Sequence, residues 1–174
     1  MNYFEFYKIP ISFKVDEEGI KKQFYRYSKE YHPDFYTLES EEKQAEVLQL
    51  STLNNEAYQT LSNQDRRMKY VLQLKGTLEE EGNNKIPQDF LMEMMEINEA
   101  LMELEFGFDQ VAYDTVLQQL KSLESALYND IESIIENYDD KKTTESELLA
   151  VKDYYLKKRY LLRIHENLNK FASL

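Results

Sequence analysis

Apolar side chains recur along this chain at helical spacing. Ile20, Phe24, Tyr27 and Tyr31 stand at i, i+4, i+7 and i+11, and at 100° per residue they fall within about 60° of arc. Lys22, Arg26 and Lys29 collect on the opposite side of the same helix. Leu50, Leu53, Ala57 and Leu61 line one face of another. These patterns predict four helices in the first 75 residues. A short one covers 3–7 and ends at Ile9-Pro10, and a second follows Asp16 as N-cap and runs to residue 31. A third spans 40–61 and a short fourth 65–74.

The stretch KGTLEEEGNNKIPQ, at 75–88, gathers two of the four glycines, paired asparagines, a proline and an acidic triplet. That is linker composition, and it divides the chain into 1–75, a linker at 76–87, and 88–174. Beyond the linker the helical period returns for longer. One helix is predicted over 88–105, stopping near Gly107. A second starts at Asp109 with the stripe Tyr113, Val116, Leu120, Leu123, Leu127, Ile131, Ile134 and Tyr138. A third follows the loop at 139–144, opens on a capping box of Thr144 and Glu147, and runs to 171. Three amphipathic helices with short connections predict an antiparallel three-helix bundle. The expected fold class is all-α in both parts.

Composition sharpens this by exclusion. The absence of cysteine removes disulfides, thiolate nucleophiles and iron–sulfur ligation by this chain. His32 and His165 are the only histidines, which argues against a multi-histidine metal site. No apolar run is long enough to span a membrane, and MNYFEFYKIP lacks the basic start and apolar core of a secretory signal. A cytoplasmic protein without a cofactor is expected. Net charge is −12. Through Lys75 there are 11 basic and 12 acidic residues; the totals of 21 and 33 leave 10 and 21 beyond it. The acidity therefore sits in the second part, and nucleic acid, which needs a basic footprint, is disfavoured as a partner. Carboxylates are plentiful, but on helix surfaces they are usually solvated, and His165 among apolar neighbours reads as a packed or surface side chain rather than a ligand. An enzyme is the weakest reading.

The most specific feature is His32-Pro33-Asp34, placed where the second helix ends. Pro33 has no N–H and cannot continue a helix, and it pushes His32 out of the α region. The result is a rigid corner presenting a ring nitrogen and a carboxylate suited to pairing with an arginine of another protein. The tripeptide alone is weak, arising by chance in on the order of one in a hundred chains of this length. Its context decides. Tyr31-His32-Pro33-Asp34, then Asn55-Glu56-Ala57-Tyr58 with Leu61-Ser62, then Arg67 and Tyr70, resemble the J-domain signature in the right order over 1–75. The resemblance implies that Lys22, Arg26, Lys29, His32, Pro33 and Asp34 dock on a DnaK-type chaperone and stimulate its ATPase.

No Gly/Phe-rich segment and no zinc-binding cysteines follow. The acidic helical tail, the opening Asn2-Tyr3-Phe4 and the run Asp89-Phe90-Leu91-Met92-Glu93 are instead similar to the HscB family of co-chaperones. That resemblance implies delivery of an IscU-type iron–sulfur scaffold to an HscA-like chaperone. A J-protein with an unrelated client is the alternative.

The helix predicted at 88–105 carries apolar residues on two faces. Phe90, Met94, Ile97, Leu101 and Leu104 form a core stripe, while Leu91, Met92, Met95 and Met102 lie across from it beside Glu96, Glu99 and Glu103. A bundle covers one face, so the second reads as an adaptable binding surface rich in methionine. The family resemblance carries scaffold binding onto Leu91, Met92, Met95, Glu96, Glu99 and Glu103, and onto Tyr155. Tyr155 also fits a core position with Leu148, Val151 and Leu162.

Overall fold

The computed structural model describes residues 1–80 and 82–172. Glu81 of the acidic triplet and the last two residues of the predicted 88–174 segment lie outside the described residues. Every regular element among the described residues is helical. They form two compact units, one of Met1–Lys75 with Ile135–Thr143, the other of Gly76–Ile134 with Thr144–Leu174.

The first unit contains α1 (Tyr3–Tyr7), α2 (Glu17–Glu30), a 3-10 turn (Pro33–Tyr36), α3 (Glu41–Leu61) and α4 (Gln64–Leu74). Each start has a local cause. Asn2 and Glu5 form a reciprocal capping box on α1, and the Ser40 and Asn63 side chains accept from the free N–H groups opening α3 and α4. Asp16 occupies the N-cap position of α2 as expected, but its side chain makes no capping bond. After α4, Gly76 adopts φ +65°, a left-handed conformation that ends helices and suits glycine.

Aromatic rings fill the core of this unit. Phe6 lies 5.0 Å from Tyr27 and 6.4 Å from Tyr31, while Phe24 stacks on Tyr58 at 4.3 Å. Tyr3 stacks on Tyr70 at 4.5 Å, and its N–H donates to the Tyr70 hydroxyl. The Tyr138 ring meets Phe13 edge-on at 4.9 Å, and Glu136 and Asp140 pair with Lys14 and Lys75.

Two buried polar residues fix how these helices meet. Asn54 of α3 accepts from the Tyr7 hydroxyl at 2.9 Å and donates to the Phe24 carbonyl and Ser28 Oγ, both at 3.1 Å. One side chain thereby ties α1, α2 and α3 together. Arg67 donates from Nε to the Phe13 carbonyl at 2.8 Å and from a terminal nitrogen to the Leu61 carbonyl. Burial lowers the pKa of its guanidinium. An Asn54→Leu change would keep the volume and remove the amide's bonds to the Tyr7 hydroxyl, the Phe24 carbonyl and Ser28 Oγ. It would leave the hydroxyl only the residue 54 backbone carbonyl and the two α2 groups only each other. The expected cost is about 1–3 kcal/mol. Urea unfolding of the full chain, followed by helical circular dichroism, should show the loss; an unchanged midpoint would contradict this role for Asn54.

The second unit contains α5 (Gln88–Glu93), α6 (Met95–Phe106), α7 (Gln110–Glu136) as far as Ile134, and α8 (Glu145–Ala172). The single helix predicted over 88–105 is therefore two, joined at Met94. The joint does not change the helical phase, because the Met94 N–H still donates to Phe90 O and its carbonyl still accepts from Asn98. The Asp109 side chain accepts from the Ala112 N–H at the start of α7, and Thr144 and Glu147 form the expected capping box on α8. The core packs Phe90, Met94, Ile97, Leu101 and Leu104 against Val116 and Leu120 of α7 and Leu161, Ile164 and Leu168 of α8. Ile134 is only half-buried, and the deeper position near the end of α7 is Ile135. No helix among the described residues is long and apolar enough to cross a membrane.

Candidate functional site

The His-Pro-Asp corner closes the C-terminal end of α2. His32 takes an extended conformation, φ −73° and ψ 120°, as proline demands of its predecessor. Its Nδ1 accepts from the Asp34 N–H at 3.3 Å, so the ring caps the 3-10 turn. In the neutral ring that acceptance assigns the proton to Nε2, which is left as an outward donor. The Tyr36 hydroxyl donates to the Glu30 carbonyl at 2.7 Å and braces the turn against the end of α2. The Asp34 carboxylate is 83% exposed, and His32 Nδ1 lies 3.8 Å from it. The corner therefore holds out a donor and a carboxylate at fixed positions.

Lys22, Arg26 and Lys29 are all exposed on α2. They line a shallow groove with Tyr25 and Glu30, and Arg26 lies over the Tyr27 ring at 5.2 Å. Tyr25 is the addition here. It stands three residues after Lys22 on the same face, a spacing already present in the cationic stripe. Phe35 and Leu38 are also exposed beside the corner.

The second surface lies on α5 and α6. Phe90, Met94, Ile97, Leu101 and Leu104 are buried, while Leu91, Met92, Met95 and Met102 are exposed, with Met92 at 64% and Met95 at 56%. Glu96, Glu99 and Glu103 are exposed beside them. The sequence reading missed Phe106, which is exposed and follows Met95, Glu99 and Met102 at i, i+4, i+7 and i+11 on α6. Tyr155 corrects that reading. It is 5% exposed, with Arg159 lying over its ring, and belongs to the buried row Leu148, Val151, Tyr154 and Leu156. It offers no free surface. Leu162, grouped with it in the sequence, is exposed instead. His165 is partly buried and its Nε2 meets Glu124 at 2.8 Å.

Family models match both parts of the chain, a DnaJ domain over residues 2–70 and the HSCB C-terminal oligomerisation domain over 86–169. A co-chaperone protein HscB homolog from Psychromonas ingrahamii is 32% identical over 148 residues, covering 84% of this chain and 86% of the relative. The chain belongs to the HscB family of co-chaperones. A second HscB homolog, from Vibrio cholerae, is 38% identical over 121 residues, 66% of this chain and 70% of its own length. Solved HscB structures agree. The chaperone HscB from Vibrio cholerae matches with a TM-score of 0.72 at 26% identity over 99% of this chain and 98% of that one. Human co-chaperone HscB matches with a TM-score of 0.76 at 26% identity, covering 99% and 82%. The DnaJ-domain match, residues 2–70, lies within the first unit and includes the corner at His32.

Proposed function

We propose that this co-chaperone binds an IscU-type iron–sulfur scaffold protein on α5 and α6 and brings it to a DnaK-type, HscA-like chaperone. The J-domain then triggers ATP hydrolysis through His32, Pro33 and Asp34, with Lys22, Arg26 and Lys29 steering the approach. The chain itself catalyses no reaction. The observation that carries this reading is that one chain displays two exposed surfaces of different chemistry. One is a rigid polar corner beside cations, suited to an arginine-bearing, acidic partner. The other is a methionine-rich apolar face edged by glutamates, suited to an apolar partner with basic groups at its rim. Leu91, Met92, Met95, Glu96, Glu99 and Glu103 make the second contact.

The test is the ATPase rate of a purified DnaK-type chaperone with this chain, with the scaffold, and with both. The expected result is no hydrolysis by the chain alone, stimulation of the chaperone by the chain, and a further rise when the scaffold is added. No stimulation of any DnaK-type partner would overturn the first half, and no effect of the scaffold would overturn the second.

The cations lend themselves to a separate prediction. Exposed charges act mainly on encounter and are screened over about 8–10 Å at ordinary salt. Arg26→Glu should therefore slow association with the chaperone and flatten the dependence on ionic strength. Stimulation by the parent chain that is equal at low and high salt would mean these cations only keep α2 soluble.

A further inference from the structure

Phe35 follows Asp34 directly, and 73% of its surface is in water. The core of the same unit buries Phe4, Phe6, Tyr7 and Phe13, so an aromatic ring left outside stands apart. Its position is fixed. The Phe35 N–H donates to the His32 carbonyl at 3.0 Å, and the Tyr36 hydroxyl bond to Glu30 holds the next residue. The Phe35 ring meets one other ring, His32, at 5.5 Å and 51°. The turn thus presents three things side by side: the His32 ring, the Asp34 carboxylate and an apolar face.

A carboxylate as exposed as Asp34 gains little from a cation while water surrounds the pair. Excluding water strengthens the same pair, and apolar side chains bordering a polar anchor exclude water in this way. We propose that Phe35 is the shield of the Asp34 contact. When the DnaK-type chaperone brings a cationic side chain to Asp34, an apolar patch bordering that cation covers the Phe35 ring and dries the pair. The proposal rests on the reading that this loop docks on such a chaperone. It adds the chemistry of the surface that receives it, a cation with an apolar border on one side. Phe35 acts through Asp34, as a positioning residue.

The experiment titrates the full chain into a DnaK-type chaperone and reads its ATPase rate at low and high salt. Phe35→Ser should raise the half-stimulating concentration about tenfold at low salt, and the rise should be steeper at high salt because the unshielded pair is screened. The rate at saturation should fall by less than about twofold. Phe35→Leu, which keeps an apolar cover, should restore most of the loss. Unchanged helical circular dichroism is expected for both variants, since the ring supports no core. A half-stimulating concentration equal to the parent's, or one raised equally at both salts, would overturn the proposal. A parent chain that does not stimulate, or a His32→Gln variant that stimulates as well as the parent, would overturn the docking reading itself.

Discussion

Replacing His32 with Gln is expected to abolish stimulation of the DnaK-type partner and leave the protein folded. The ring does two things that glutamine does not repeat together. Its Nδ1 caps the 3-10 turn through the Asp34 N–H, which fixes the carboxylate, and its other nitrogen remains an outward donor. Glutamine has an amide acceptor and donor on a flexible stem, so the corner loses its fixed geometry. The side chain is exposed, and changes at exposed positions usually move stability by no more than about 0.5 kcal/mol. Loss of the stimulated increment in ATPase, with an unchanged melting curve, is the expected pair of results. Asp34→Asn should behave alike, because it removes the charge and keeps the shape. Stimulation equal to the parent's by either variant would contradict the role given to the loop.

The second large effect is expected on the client side. Leu91→Ala, Met92→Ala and Met95→Ala together remove most of the apolar face exposed by α5 and the start of α6. Each truncation at a buried contact costs about 1–2 kcal/mol of binding, so the triple change should weaken scaffold affinity by a factor on the order of 100 or more. The helices should persist. The core stripe Phe90, Met94, Ile97, Leu101 and Leu104 faces the other way, and alanine favours helix. Stimulation of the chaperone by the J-domain without scaffold should remain. Calorimetric titration of the scaffold into parent and variant decides the matter, and equal affinities would place the client elsewhere.

Much of this architecture was legible from periodicity. The stripe on α2 and the cations opposite it need nothing beyond 3.6 residues per turn, and the two-faced character of 88–105 came from the same count. Other features had no local signal. The joint at Met94 preserves the helical phase, so the hydrophobic pattern reads the same for one helix or two. Asn54 matters through Tyr7, Phe24 and Ser28, which lie 26 to 47 positions away and declare no pairing in the sequence. Tyr155 was ambiguous for a different reason. Its spacing from Leu148 and Val151 fits the core, while the family resemblance suggested the surface, and packing resolved it in favour of the core. Phe35 and Phe106 were overlooked because an aromatic residue is read as core by default. Only the folded chain reveals that neither ring is covered.

Both surfaces are expected to act on one client–chaperone pair through the same molecule. The most direct measurement mixes two variants that each lack one of the two contacts, His32→Gln with its client face intact and the Leu91, Met92, Met95 triple-alanine variant with its loop intact. ATPase activity of the chaperone is read with the scaffold present. If the chain works by carrying its client to the chaperone, the mixture should show no more than the J-domain stimulation of the triple variant alone. Recovery of the parent's scaffold-dependent rise by the mixture would contradict the account, because it would mean that docking and client binding need not reside in one chain.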